Sequence, residues 1–479
     1  MNSGAAQRSE RRSRRRALGG AGDAAPQECA PQINGPAGRT QLKLPAVSAA
    51  TAAQGRRRFI FVLTIFVFLF GLVMVTSAGT GFTLQQQANM QALTHKSTSW
   101  NPWSLFEKQA IFGVLGFISL FFASRFPLTT LQRLAKPLLM VCFFFLMLVF
   151  IPGLAQSSNG ATRWINLGPF QFQPSELIKL SVIIYVSAYL ARARPPVHWM
   201  NDFVKSPGGV ALFMAIVVFA QKDLGTSIVI AGTVMTLYML AGTNPRLLMR
   251  VIGPGIALIG LGILSEPYRR DRFLAFLNPW HDSSGTGYQL VQGLISIGNG
   301  GVFGVGLGHS VQKAMFLPEA HTDMIFAITA EELGLFGVAA VLLGFLSIAI
   351  VGTRIALKAD TRFNALLAAG LTTALVGQAI INLGGVVGVL PLTGVPLPLI
   401  SYGGTNLLVS LTALGLLANI ATASHATADS RHDEYEDGIA SRDEYGDDDV
   451  DEPQPARGRR GRGHGGASGT RTRGRRSPA

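Results

Sequence analysis

Ten apolar runs, each roughly as long as about 30 Å of hydrocarbon requires, alternate with polar segments along the chain. They fall at 59–78, 108–124, 137–154, 175–191, 208–222, 225–242, 247–265, 324–350, 363–389 and 401–422. Runs of this length read as helices, because a spanning segment must satisfy its own backbone polar groups. The pattern predicts an all-α, polytopic membrane protein with about ten transmembrane helices. The two runs within 208–242 are the shortest and are broken by Gln221-Lys-Asp-Leu-Gly-Thr226.

Composition agrees with the pattern. The 479 residues are 48% hydrophobic and 14% charged, with a mean hydropathy of +0.33, too apolar for an ordinary soluble domain. The net charge of +14 is unevenly placed, since about half of the 41 Lys/Arg residues lie in the two tails. Basic tails on a membrane body set topology and touch anionic lipid, so no nucleic-acid partner is expected. Cys29 and Cys142 are the only cysteines and give no disulfide framework. The Arg-rich start precedes roughly forty polar residues, unlike a cleavable signal peptide.

Charge also orients the spans. With the N-terminus inside, cytoplasmic segments carry Arg56/Arg57/Arg58, Arg125/Arg133/Lys136, Arg192/Arg194/Lys205, Arg246/Arg250 and Arg354/Lys358/Arg362. The opposite segments are poorer in Lys/Arg, so both termini are expected in the cytoplasm. Segments 79–107, 155–174, 266–323 and 390–400 then lie outside. The long loop 266–323 holds aromatic residues and the glycine run 298–308, a composition for short amphipathic pieces at the interface. Tails 1–58 and 423–479 read as disordered: the second carries an acidic block over 429–452 and then an Arg/Gly-rich end, and like-charge blocks bury no core.

Candidate chemistry gathers at the expected outer ends. Leu317-Pro-Glu-Ala-His-Thr-Asp323 leads directly into an apolar helix, and a carboxylate bordering hydrocarbon is costly unless it has a partner or a task. Gln173-Pro-Ser-Glu-Leu-Ile-Lys179 opens the fourth span, with Pro174 suited to a first helical turn. Glu176 and Lys179 share a helix face and form either a structural ion pair or part of a site. Lys179 is a candidate cation for holding Asp323 ionised, should the two spans adjoin. Glu331 and Glu332 are a second acid or packing groups; His321 is a base, a metal ligand or a structural side chain. Pro391-Leu-Thr-Gly-Val-Pro-Leu-Pro398 and Ser401-Tyr-Gly-Gly-Thr405 bring irregular backbone to the same end, tolerated only where protein or a wet cavity covers it.

Several ordered motifs extend these clusters: Gln173-Pro-Ser-Glu176, Tyr268-Arg-Arg-Asp-Arg272, Asn278-Pro-Trp280, Gly287-Tyr-Gln289, Pro318-Glu-Ala-His-Thr-Asp323, Glu331-Glu-Leu-Gly334, Pro391-Leu-Thr-Gly394 and Ile400-Ser-Tyr-Gly-Gly404. In this the chain resembles the SEDS proteins (FtsW, RodA and SpoVE) from about residue 59 to 422, leaving out both tails. The resemblance implies a ten-helix enzyme that polymerises lipid II into glycan strands at the outer face of the cytoplasmic membrane. The Pro318–Asp323 and Asn-Pro-Trp runs look most like the division branch, hence a septal location; the last span also looks like the sporulation member. Lys222 departs from the family's usual proline and alters the local turn.

Carried over residue by residue, the resemblance makes Asp323 the catalytic base that takes the proton of an attacking sugar hydroxyl. An α-linked donor giving a β-linked product calls for direct inversion. Lys179, Glu176, Arg269, Arg272, Gln289, His321, Ser401 and Tyr402 are the candidate substrate-binding residues. Positive charge for the departing pyrophosphate is open among Arg163, Arg269, Arg270, Arg272, Lys313 and a divalent cation such as Mg²⁺ or Mn²⁺. Implied partners are lipid II, a class B penicillin-binding transpeptidase, other division proteins and membrane lipids. A lipid II transporter, a noncatalytic scaffold and the elongation or sporulation paralogue are the competing readings.

Overall fold

The computed structural model describes residues 49–94, 103–151, 155–158, 161–167, 170–192, 200–265 and 267–443. Residues 1–48 and 444–479, the greater part of the expected disordered tails, lie outside the described residues. Fourteen helices and three strands follow in order: α1 (Ala49–Thr94), α2 (Ser104–Ala123), α3 (Leu128–Leu148), β1 (Ala155–Ser158), β2 (Ala161–Leu167), β3 (Phe170–Phe172), α4 (Pro174–Arg192), α5 (Met200–Lys205), α6 (Pro207–Ala220), α7 (Leu224–Leu240), α8 (Pro245–Ser265), α9 (Pro267–Leu277), α10 (Tyr288–Gly300), α11 (Gln312–Met315), α12 (Ile325–Leu357), α13 (Arg362–Val386) and α14 (Gly404–Asp443). The polytopic, helical expectation holds. Eight of these helices are long and apolar enough to cross a membrane. The interrupted pair forms two shorter apolar helices, α6 of 14 residues and α7 of 17.

Local chemistry sets the boundaries. Pro174, Pro207, Pro245 and Pro267 each occupy a first helical position, where the missing N–H costs nothing. Asp223 caps α7 by accepting from Thr226 N at 3.2 Å, and Thr361 caps α13 by accepting from Asn364 N at 3.1 Å. The third span starts at Leu128 rather than 137, so Arg133 and Lys136 lie on helix, not in a connecting loop. Polar residues in its first turns had hidden that start. α14 runs on past residue 422 to Asp443, and α1 extends beyond 59–78 at both ends.

Burial ranks the helices. About 72% of the most apolar window is buried in α4 and α14 and 61% in α13, against 22% in α8 and 28% in α2 and α3. α4, α13 and α14 are therefore the centre of the bundle. Large apolar side chains such as Phe66, Phe122, Phe144, Leu261 and Leu343 are exposed on the outer helices, the surface that meets lipid.

Two connections depart from expectation. The strands β1, β2 and β3 form an antiparallel sheet in that order, with Ile165 opposite both Ala155 and Phe172. The β-branched and aromatic content of β2 favours strand. The loop 266–323 is also not simply interfacial: α10 packs on α12, where Gly300 meets Ala330 backbone and Ser296 Oγ donates to Ala327 O at 3.1 Å.

Candidate active site

The polar ends of α4, α7, α12, α13 and α14 meet at one end of the bundle. Asp223 Oδ2 accepts from Gln173 Nε2 at 3.0 Å and from Ser175 Oγ at 3.1 Å, while Gln173 N donates to Thr405 Oγ1 at 3.1 Å. Gly225, in the first turn of α7, lies against Thr393 and Val395 of the Pro391–Pro398 segment. That segment reaches Asp323 in turn, because the space beside Gly394 is bounded by Asp323 Oδ2 and Arg272 Nη1.

Asp323 stands two residues ahead of α12 and keeps partial access to the surface. Burial pushes its carboxyl up to about 6, and the nearby Glu319 adds to the rise. Arg272 and Arg163 pull in the opposite direction, and Asp223 adds a smaller upward push. The charges of two arginines and two other carboxylates thus act on Asp323 in opposite directions, and burial decides the outcome.

Arg272 is held by Gln289, whose Oε1 accepts from Nη2 at 3.2 Å; Gln289 Nε2 donates to Pro318 O at 3.4 Å. These two candidates thus join the Asp323 run to α9 and α10. His321 is buried, and burial holds its imidazole below the ordinary value although Glu319 pulls upward. Its carbonyl accepts from Tyr402 N at 2.9 Å, and the two rings lie 5.6 Å apart. Ser401 is buried and accepts from Leu397 N at 2.8 Å. His321, Ser401 and Tyr402 hold the loop walls together.

Other candidates are engaged elsewhere. Lys179 does not hold Asp323: it donates to Glu176 Oε2 at 2.7 Å and to Gln378 Oε1, and among the described residues no ion pair joins it to Asp323. Lys179 and Glu176 are only 5% and 1% exposed. Their helix faces α13, so the lysine meets an amide there before it could reach the start of α12. Arg269 donates to Gly262 O at 3.2 Å and Phe219 O at 3.3 Å and lies over the Phe219 ring, closing the ends of α8 and α6. Lys313 pairs with Glu332 at 2.6 Å inside the bundle. Arg270 is exposed beside Asp271, 3.9 Å away. Of the six proposed sources of positive charge, Arg272 shares the space beside Gly394 with Asp323, and Arg163 is the other whose charge acts on it.

Glu331 and Glu332 are buried and hydrogen-bonded inside the bundle. Glu331 Oε2 accepts from Ser296 and Ser310, and Glu332 from Ser77 and Lys313. Lys222 has φ +65, a conformation closed to proline, and its carbonyl accepts from Arg163 Nη2. The departure at this position thus shapes a turn that contacts one of the site's arginines. Among the described residues no group of three or more His, Cys, Asp or Glu is placed to hold a metal. A Mg²⁺ or Mn²⁺ ion carried in on a pyrophosphate would need only one or two carboxylates.

A family model described as cell cycle protein, spanning FtsW, RodA and SpoVE, matches residues 57–426. The chain belongs to the FtsW/RodA/SpoVE family. It is 41% identical over 362 residues to a probable peptidoglycan glycosyltransferase FtsW of Escherichia coli, covering 75% of this chain and 84% of that one. The corresponding protein of Geobacter metallireducens is 36% identical over 77% of this chain and 95% of its own length. Stage V sporulation protein E of Bacillus subtilis is 36% identical over 76% and 96%. Among solved structures, a chain from a peptidoglycan synthase complex that coordinates polymerization and crosslinking matches with a TM-score of 0.61. It is 26% identical, covering 76% of this chain and 97% of that chain. The rod-shape-determining protein RodA of Thermus thermophilus matches with 0.54 at 26% identity, over 76% and 95%. This FtsW/RodA/SpoVE member is therefore a multi-pass membrane protein.

Sequence reading of the family chain missed Gln378 and Asn382 of α13, which bind the Pro391–Pro398 segment through their side-chain amides. The available signal was two amides spaced four apart within an apolar helix.

Proposed function

We propose that this chain is a peptidoglycan glycosyltransferase of the FtsW type, polymerising lipid II into glycan strands at the outer face of the cytoplasmic membrane during division. The observation that carries this is the Asp323 carboxylate, bordered by Gly394 and Arg272 and raised by burial to about 6 although Arg272 and Arg163 pull it down. A general base works best with a pKa near the operating pH. Asp323 takes the proton of the attacking sugar hydroxyl as that oxygen closes on the anomeric carbon. The bond to the lipid pyrophosphate breaks on the opposite side, with inversion and no covalent sugar intermediate. Arg272 and Arg163 supply positive charge where the leaving pyrophosphate gathers it.

The basic segments around Arg56–Arg58, Arg125, Arg246/Arg250 and Arg354–Arg362 lie at the opposite helix ends and favour the cytoplasm. That orientation supports an outward-facing site and cytoplasmic termini. A crosslinking transpeptidase of the class B penicillin-binding type is the proposed partner at the septum, with other division proteins and membrane lipids.

Purified protein supplied with lipid II, with and without that partner, tests the reading. Asp323→Asn is expected to abolish polymer while expression and membrane insertion persist; normal polymerisation would overturn the assignment. A chelator arm asks whether Mg²⁺ or Mn²⁺ accompanies the pyrophosphate. Lipid II crossing sealed vesicles in an Asp323-dependent way, without polymer, would establish transport instead.

A further inference from the structure

The Pro391–Pro398 segment contains three prolines, so its backbone is short of donors and cannot hold itself by regular hydrogen bonding. Two side chains of α13 hold it instead. Gln378 Nε2 donates to Pro396 O at 2.8 Å, and Asn382 Nδ2 donates to Val395 O at 2.8 Å. Four residues apart, the two amides lie on one face of the helix.

Gln378 Nε2 also donates to Asn406 Oδ1 at 3.2 Å, whereas Asn382 reaches the Asp323 run. The same Nδ2 donates its second proton to the backbone carbonyl of Asp323 at 2.9 Å. One buried amide, 5% exposed, thus joins the backbone of Asp323 to the residue following Gly394, which borders the Asp323 carboxylate. Its Oδ1 has no hydrogen-bond partner among the described residues. A buried unpaired acceptor is costly, and an apolar side chain would fill the space without that cost. The Nδ2 donors are what distinguishes this residue from packing material.

Resting on the reading of Asp323 as the base, we propose that Asn382 is a positioning residue for it, fixing the Asp323 run against the Gly394 wall. Gln378 holds the adjoining carbonyl, and Lys179 orients the Gln378 amide by donating to its oxygen. The Glu176–Lys179 pair then acts on the site through the loop rather than by touching Asp323.

Polymerisation by the full-length protein with its transpeptidase partner tests the role. Asn382→Leu is close in size and removes both donors. A misplacement near 1 Å lowers kcat per folded molecule on the order of 100-fold, with KM for lipid II held within about threefold. In the Asp323→Glu background, where the carboxylate is already displaced by a methylene, Asn382→Leu is expected to cost far less, because the two act as one unit. Unchanged kcat per folded molecule, even with a lower melting temperature, would make Asn382 merely structural. Effects that multiply with Asp323→Glu would make it independent of the base. Should Asn382→Leu fail to fold, Asn382→Gln keeps the amide but alters its reach, and the same two comparisons decide. A polymerising Asp323→Asn variant would overturn the base itself; an inactive one beside a normal Asn382→Leu enzyme would overturn only the positioning role.

Discussion

A Cβ built on Gly394 would stand 3.3 Å from Asp323 Oδ2. The glycine has φ +71, so both its backbone conformation and its missing side chain leave the carboxylate its space. Gly394→Ala adds left-handed strain of about 1–2 kcal/mol and presses a methyl against the base. Polymerisation is expected to fall more than thermal stability does. Steady-state rates and a melting curve on the same preparation check this, and an unimpaired rate would mean the carboxylate works from another position.

The pH dependence follows from the charges around Asp323. Its carboxyl is ionised above about 6, and a base acts only when ionised, so kcat should rise with pH through that value and then level off. Arg272 favours the ionised form and Glu319 opposes it. Arg272→Gln should therefore move the rising limb to higher pH, and Glu319→Gln to lower pH. Rate profiles in one fixed lipid mixture would reveal limbs that stay still or move the other way.

Stability carries the opposite sign. A folded-state pKa of about 6 against an unfolded value near 3.9 means that ionising Asp323 disfavours the fold. Stability is lost as pH rises from about 4 through 6 and stays lower above that window. Asp323→Asn removes the ionisable group, so the inactive variant should melt above wild type at pH 7.5. The advantage should shrink as pH falls toward 4; a variant that melts lower throughout would contradict the sign.

The spans were legible because lipid thickness and backbone satisfaction leave few alternatives to a long apolar helix. Asp323 was legible because a carboxylate at such a boundary needs a reason. Its surroundings were not, since they depend on which helices adjoin. Lys179 faces α13 and meets Gln378, a partner 199 positions away in the chain. The β1–β2–β3 sheet has one local signal in the sequence, Asn159-Gly160 between its first two strands, a dipeptide favoured in tight hairpin turns. Arg269 and Arg272 look alike in sequence; only the fold sends one to helix ends and the other to the site.

Lys313 and Glu332 form a 2.6 Å pair, 7% and 0% exposed, with Ser77 shared between them. Removing one member strands the other charge in the bundle, at about 3–5 kcal/mol. Lys313→Met should lower the melting temperature sharply, and Lys313→Met with Glu332→Leu should recover much of the loss. A double variant as unstable as the single would mean that the pair's geometry, beyond its charge balance, holds α11 to α12.

Gly334 breaks α12 with φ 60 and ψ −147, a region essentially reserved for glycine. The break frees backbone groups that the glycine run then takes: Val305 N donates to Glu331 O, Gly306 N to Glu332 O, and Leu335 N to Val302 O, at 2.9 to 3.0 Å. A Cβ on Gly334 would lie 2.4 Å from Gly304 N and 2.5 Å from Val302 O, so the loop would have to leave. Backbone strain alone costs about 1–3 kcal/mol, and three lost hydrogen bonds add to it. Gly334→Ala should therefore melt well below wild type and expose residues 301–308 to protease. Gly298→Ala, on α10 with nothing within 4 Å of its Cβ position, should change neither. Equal behaviour of the two variants would show that the glycine run does not depend on the break in α12.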